Sequence, residues 1–202
     1  MEPFRIETTV DAPQATVWRH FTEPALIGQW FGWDYPGIAD EIKMIFVDHV
    51  ERTPPGRIDM HDDQVLTITP AGDDRCVVRI VSPGEPTDTF DEIEEGWRQF
   101  FEQLRFLLDR GLTGRRTVYL TARAAPAALA AGLDAGPVWH ASRFQRMTVD
   151  GAGHLVALAT RAPVDSIEPA DAMVTISTFG LDDAAFAAAE EGWTARWKAL
   201  TA

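Results

Sequence analysis

The amino-acid sequence predicts an α+β protein built as a tandem pair of related units, and three observations carry that expectation. Glu94-Glu95-Gly96-Trp97 recurs as Glu190-Glu191-Gly192-Trp193, each time inside a segment of helical period that closes a run of strand-like sequence. The front of each half corresponds as well, Phe4-Arg5-Ile6-Glu7-Thr8-Thr9-Val10-Asp11-Ala12-Pro13 against Thr117-Val118-Tyr119-Leu120-Thr121-Ala122-Arg123-Ala124-Ala125-Pro126. The landmarks keep their order, but Pro13 and Pro126 lie 113 positions apart and Trp97 and Trp193 only 96, so the second half is 17 residues shorter between them. Length changes in a duplicated unit fall in loops or whole hairpins, so one hairpin is the expected loss. The predicted units are 1–112 and 115–202.

The elements follow in order. Residues 4–10 alternate with period two, Phe4, Ile6 and Val10 sharing a face with Thr8, and read as a strand. Asp11 caps and Pro13 opens a short helix over 13–22 that buries Val17, Trp18 and Phe21. Thr22-Glu23-Pro24 starts a second short helix to about Trp30. Phe31-Gly32-Trp33-Asp34-Tyr35-Pro36-Gly37 is an aromatic loop. Strands are predicted at 40–50, 56–60, 63–70 and 75–82, separated by Pro-Pro-Gly, His-Asp-Asp and Ala-Gly-Asp-Asp turns. Ile93, Trp97, Phe100, Phe101, Leu104, Leu107 and Leu108 then make one apolar helical face, which must bury against something large, most simply the sheet. Gly111 and Gly114 stop that helix and begin a linker.

The second half repeats the plan in smaller residues. A strand is predicted at 116–123, a short Ala-rich helix near 126–132, and strands near 138–149, 153–161 and 171–179. A closing helix over about 182–200 starts at Asp182-Asp183 and carries a sparser stripe of Phe186, Trp193, Trp197 and Leu200.

Composition excludes several classes. Apolar residues make up 46% of the 202 and charged residues 24%, as in a chain that folds unaided. The net charge of −13 is uneven: residues 1–114 hold 10 basic and 22 acidic side chains, residues 115–202 hold 8 and 9. Such a surface repels phosphate backbones, and no basic stripe interleaves with aromatics, so nucleic acid is not an expected partner. The single cysteine, Cys76, forbids an internal disulfide and a cysteine zinc cluster, and Val77, Val78 and Ile80 mark it as a buried strand thiol. No run approaches 18 apolar residues and no basic-then-apolar leader opens the chain, so membrane insertion is not expected and a cytoplasmic, soluble protein is.

Thr9-Val10-Asp11-Ala12-Pro13-Gln14-Ala15-Thr16-Val17-Trp18, then Thr22-Glu23-Pro24 with Trp30, and the closing Glu95-Gly96-Trp97 with Phe101, Leu104 and Leu108, together resemble the START-like (SRPBCC, Bet v 1-like) superfamily. Within it they look most like the heat-shock ATPase activator homologue family, over roughly residues 4–110. The resemblance implies a helix-grip fold, in which a curved antiparallel sheet wraps a long C-terminal helix and an apolar cavity lies between. It also implies a hydrophobic small molecule as partner. The chain departs from the family where a Gly-rich hairpin should follow Trp30, since the aromatic loop runs almost directly into 40–50. Each half is then short of strands, and an intimate pseudo-two-fold pair, each half covering the other's apolar surface, is the expected assembly.

Catalytic signatures are missing: the sequence holds no G-x-S-x-G, H-E-x-x-H, P-loop or dinucleotide fingerprint, and no cofactor or metal is expected. Histidines stand at 20, 49, 61, 140 and 154 and form no spaced ligand pair. His20 reads as structural, Asp48-His49 as two opposite faces of a strand, and His61-Asp62-Asp63 as a solvated turn. The functional signal is aromatic density. Trp30, Phe31, Trp33 and Tyr35 of the loop, Met44 and Phe46 of the next strand, and Trp97, Phe100, Phe101 and Leu104 of the long helix are the candidate lining of a ligand cavity in the first unit. Gly96 and Gly192 are expected to admit a backbone close to the neighbouring Trp. Besides hydrophobic-ligand binding, the resemblance admits a polyketide cyclase/aromatase-like or self-resistance enzyme, which a His, Asp or Arg inside the cavity would favour, and a co-chaperone-like interaction protein. Ligand identity and oligomeric state are open at this stage.

Overall fold

Alternating burial along Phe4–Val10, with Phe4, Ile6, Thr8 and Val10 inward and Arg5, Glu7 and Thr9 outward, makes β1 a half-buried strand. A computed structural model describes residues 3–84, 89–134 and 136–202, and its contacts divide the chain into Met1–Leu112 and Thr113–Ala202. Met1 and Glu2, where the leader expectation begins, lie outside the described residues.

In the first unit β1 pairs with β5 (Cys76–Ser82), and β4 (Val65–Pro70), β3 (Arg57–Asp59) and β2 (Glu51–Thr53) follow, giving an antiparallel sheet of order β1-β5-β4-β3-β2. Thr8 faces Val78 and Ile6 faces Ile80 across the β1–β5 register, so the buried face formed by these two strands is apolar apart from Thr8 and Ser82. Between β1 and β2 run α1 (Gln14–Thr22), α2 (Pro24–Ile27), α3 (Ile38–Lys43) and a π-helical turn, Met44–Asp48.

The strand expected at 40–50 is therefore a helix and a π turn. Ile42, Met44 and Phe46 alternate as a strand would, but Ile38, Ile42 and Phe46 also recur every four residues, and burial follows the second period. Ile42 and Phe46 are buried, whereas Met44 and Val47 are 53% and 40% exposed. β2 was not expected because all three of its residues are exposed and carry no apolar signal.

The long helix α4 (Glu92–Asp109) packs along β1. Asp91 caps it, its carboxylate accepting from the Ile93 and Glu94 amides at 2.9 and 2.8 Å, and Glu92, Glu94 and Glu95 sit where the helix dipole favours negative charge. Gly111, at φ +60°, ends it, with the Leu112 amide returning to the Leu107 carbonyl at 2.9 Å. Its buried side is broader than the apolar stripe: Glu95, Gln99, Glu102 and Gln103 are buried too, and Glu102 accepts from Thr8 Oγ1 and pairs with Arg105. Ile93, placed on the buried face by its spacing, is 44% exposed.

The second unit has the same strand order in its own terms, β6-β10-β9-β8-β7, from β6 (Arg115–Ala124), β7 (Val138–Ala141), β8 (Gln145–Val149), β9 (Leu155–Thr160) and β10 (Ala170–Phe179). The segment 138–149, read as one strand, is the hairpin β7–β8. No hairpin is missing; the shorter stretch lies between the first two strands, where α5 (Pro126–Gly132) stands alone against α1, α2, α3 and the π turn of the first unit. α6 (Asp183–Thr201) runs against β6, and its Trp193 and Trp197 join Val118, Val156, Leu158, Val174, Ile176 and α5's Leu129 in one core, with Phe186 and Leu200 at the margin. α5 meets α6 closely at Gly132, where a Cβ would fall 2.3 Å from the end of the Leu200 side chain, which would have to move.

A candidate site at the end of the second sheet and an aromatic core in the first unit

The aromatic residues of the first unit come together, mostly with one another. Phe21, Trp30, Phe31, Phe46, Trp97, Phe100 and Phe101 form a cluster of tilted and edge-to-face rings, with centroids 4.6 Å apart for Phe31–Phe100, 4.9 Å for Phe21–Trp30, 5.1 Å for Phe31–Phe46 and 5.8 Å for Trp97–Phe101. Offsets of this kind match the ring quadrupoles. The indole donors are satisfied internally: Trp30 Nε1 donates to the His20 carbonyl at 2.8 Å and Trp97 Nε1 to Gln64 Oε1 at 3.1 Å. Trp30, Phe31, Phe46, Trp97, Phe101 and Leu104 are all buried, so these six of the expected lining residues occupy the space between α4 and the helices after β1. Phe100, Trp33 and Tyr35 are half-buried at its rim, and Met44 faces outward.

The rim loop is held by two devices. Gly32 sits at φ +61°, where a Cβ would meet the Ile38 side chain at 2.9 Å, so only glycine makes this bend. Tyr35 meets Trp33 in a tilted ring contact, centroids 5.9 Å apart, and donates its hydroxyl to the Glu41 carboxylate of α3. That hydrogen bond, then burial and the Glu41 charge, push the phenol from its ordinary 10.0 to about 12. Because the folded value is the higher one, the bond's contribution to stability is complete below pH 10 and is lost as pH rises towards 12. In Glu41→Gln, alkaline titration of tyrosinate absorbance should show Tyr35 ionising nearer 10.0. An unchanged curve would refute the pairing.

The other sequence candidates are structural or superficial. His20 Nδ1 lies 2.8 Å from the Thr16 carbonyl, within its own helix. His61–Asp63 is an exposed 3-10 turn, and exposed His49 meets His61 ring to ring at 4.6 Å. Asp48 pairs with Lys43. Cys76 is buried, and desolvation pushes its thiol up, away from thiolate chemistry. Among the described residues no group of three or more His, Cys, Asp or Glu is placed to hold a metal, and no helix is long and apolar enough to cross a membrane.

An open groove of about 310 Å³ lies instead in the second unit, lined by Asp150, His154, Ala189, Gly192, Trp193 and Arg196. Asp150 and His154 bracket the β8–β9 turn, Asp150-Gly151-Ala152-Gly153-His154, with Gly153 at φ +86°. Asp150 Oδ1 accepts from the amides of Ala152 and His154 at 2.9 and 2.8 Å, which fixes the carboxylate. Its Oδ2 lies 3.0 Å from His154 Nδ1. A carboxylate only accepts, so Nδ1 carries the proton and Nε2 is left as the basic nitrogen, with no partner among the described residues. The opposite wall is one stripe of α6. Trp193 packs into the core and keeps an edge on the groove, and the Arg196 guanidinium lies 5.1 Å from the Trp193 ring and donates to the Gly132 carbonyl at 2.7 Å. One of its five N–H donors is thereby used.

These residues escaped the sequence reading because His154 has no ligand-spaced partner and α6 is only weakly amphipathic. The available signal was Asp-Gly-Ala-Gly-His, a glycine-rich turn whose first and last side chains are forced together. The close-approach expectation for the repeated glycines is corrected as well. A Cβ on Gly96 would make only an ordinary 3.7 Å contact with Phe100, and one on Gly192 would meet nothing within 4 Å.

An α+β chain of two antiparallel sheets, each with a long closing helix, is the class these observations define. No family model matches the chain, and no curated protein matches it. Solved structures similar to it include three from biosynthetic loci or pathways. DynU16, from the dynemicin biosynthetic locus, is 17% identical over 100% of this chain and 97% of its own, with a TM-score of 0.37. The di-domain ARO/CYC BexL of the BE-7585A pathway is 13% identical over 91% and 86%, with a TM-score of 0.32. The di-domain ARO/CYC StfQ of the steffimycin pathway is 12% identical over 96% and 91%, with a TM-score of 0.35. Likeness at this level assigns no residue and no activity.

Proposed function

We propose that the chain is an enzyme of the polyketide cyclase/aromatase type, acting on a flat hydrophobic metabolite in the groove of the second unit. The observation that carries this reading is the meeting of His154, oriented by Asp150, with Arg196 and the edge of Trp193 in one groove. The groove is at the small end of the range for small-molecule sites. The START-like resemblance supplies the substrate class, and the matching strand order of the two sheets supports a tandem, pseudo-duplicated helix-grip architecture.

The chemistry is proton transfer. His154 Nε2 takes a proton from carbon next to a ketone, the C–H electron pair forms a carbon–carbon double bond while the carbonyl π pair passes to oxygen, and Arg196 stabilises the enolate. The enolate carbon bonds to a second carbonyl of the same molecule, and that oxygen takes the proton back from the imidazolium. The reaction needs no oxidant or cofactor. Asp150 holds the tautomer throughout.

The test is hydrogen–deuterium exchange at the acidic carbon of 2-tetralone in heavy water, followed by NMR with the full chain. His154→Ala should slow the catalysed exchange by about 10²-fold or more. Exchange at the buffer rate with the unmodified protein would overturn the reading.

A second reading, non-catalytic binding of a hydrophobic molecule by the first unit, rests on the half-buried rim of Trp33, Tyr35 and Phe100 over the buried side chains of Trp30, Phe31, Phe46, Trp97, Phe101 and Leu104, with Met44 exposed nearby in sequence. It predicts hydroxynaphthoate binding that Trp33→Ala removes and His154→Ala leaves unchanged.

A further inference from the structure

We propose that Gly192 is the seat of the groove, its missing side chain providing the space in which the flat part of the ligand lies against Trp193, so that this position sets how large a ring system is accepted. The inference rests on the groove being a ligand site.

Glycine at this point has no structural cause. Gly192 lies in the interior of α6, a helix otherwise rich in alanine, where glycine is a poorer helix former than alanine. Its φ is not in the left-handed region, and a Cβ there would meet nothing within 4 Å, so neither backbone conformation nor packing requires it. Some other glycines are explained by contact or conformation, as at Gly32, which combines a positive φ with a close Ile38, whereas Gly151 in the β8–β9 turn, like Gly192, has neither cause. Gly192 faces the groove at helical spacing from Ala189 and Arg196 and next to Trp193. The open space above it is the groove itself, with the His154–Asp150 pair among its lining residues.

A flat aromatic with one acidic oxygen fits that arrangement. The ring would cover Gly192 and meet the small part of Trp193 that lines the groove, and the oxygen would be drawn to the unused N–H groups of Arg196. A leucine at this position would project into the same volume. One-ring ligands would lose less from it than two-ring ligands.

Hydroxynaphthoate and salicylate, titrated by their own fluorescence into the full chain and its Gly192→Ala, Gly192→Leu and Gly96→Ala variants, separate the outcomes. Gly192→Ala should raise the melting temperature by about 4 °C, as removal of a mid-helix glycine does. Gly192→Leu should weaken hydroxynaphthoate at least tenfold and salicylate about threefold or less, while Gly96→Ala leaves both affinities unchanged. Unchanged hydroxynaphthoate affinity in both Gly192 variants, with His154→Ala still abolishing tetralone exchange, would overturn the seat and leave the groove reading standing. Failure of the unmodified protein both to bind either probe and to catalyse exchange would overturn both.

Discussion

Replacing Phe101 with alanine is expected to destabilise the first unit by about 3–5 kcal/mol, the range for a large aromatic removed from a close-packed core. Phe101 is fully buried and lies midway along α4, 6.1 Å from the Phe21 ring and 5.8 Å from the Trp97 ring. Truncation therefore removes one of the rings that join the helices after β1 to the long helix. The neighbouring rings are held by Trp30 Nε1 on the His20 carbonyl and Trp97 Nε1 on Gln64, so they cannot collapse freely into the space. Phe101→Leu, which conserves more volume, should cost less than about 1.5 kcal/mol. Urea unfolding with an unchanged m-value measures both. A loss below about 1 kcal/mol for the alanine variant would mean that the cluster yields, as a ligand-adaptable cavity wall would.

Trp197→Ala should cost the second unit a similar amount, again about 3–5 kcal/mol. Trp197 is 4% exposed within the core formed by Val118, Val174, Ile176 and Leu129, and its Nε1 donates to the Thr121 carbonyl at 3.3 Å. Trp197→Phe separates the contributions. It keeps most of the buried area and loses the hydrogen bond, which at an exposed strand residue is worth about 1 kcal/mol or less. If the phenylalanine variant fell as far as the alanine variant, the indole nitrogen and not the packing would be holding α6 to β6. Denaturation followed by far-ultraviolet circular dichroism decides the matter.

The strands and long helices were legible because each repeats a local burial pattern. β1 and β5 alternate strictly, and α4 spaces Trp97, Phe101, Leu104 and Leu107 along one side, so neither needs knowledge of its neighbours. Residues 38–48 were not legible in this way. Ile42, Met44 and Phe46 satisfy period two while Ile38, Ile42 and Phe46 satisfy a helical period, and only packing against Trp30, Phe31 and Trp97 selects the second. The missing hairpin was a wrong inference from a right measurement. The lengths do differ, but the difference falls where the first unit has three helices and a π turn and the second has α5.

The candidate site divides along the same line. Aromatic density pointed to Trp30, Phe31, Phe46 and Trp97, and composition alone cannot say whether such rings face a ligand or one another. Their centroid distances show that they face one another. The groove of the second unit offers little composition to notice, one residue each of Trp, Arg, His, Asp, Ala and Gly.

By itself the sequence determined the class of the protein: two stretches of antiparallel strands, each closed by a long helix bearing Glu-Glu-Gly-Trp, with no cysteine pair, basic stripe or membrane-length apolar run. These properties depend on period and composition, which are local. Only the tertiary structure decided which Glu-Glu-Gly-Trp glycine opens onto a groove. Gly96 finds Phe100 four residues along its own helix, while Gly192 finds open space beside a β8–β9 turn about 40 residues earlier in the chain. Proximity of that kind is set by how a sheet twists its hairpin ends over a packed helix, and no local pattern encodes it.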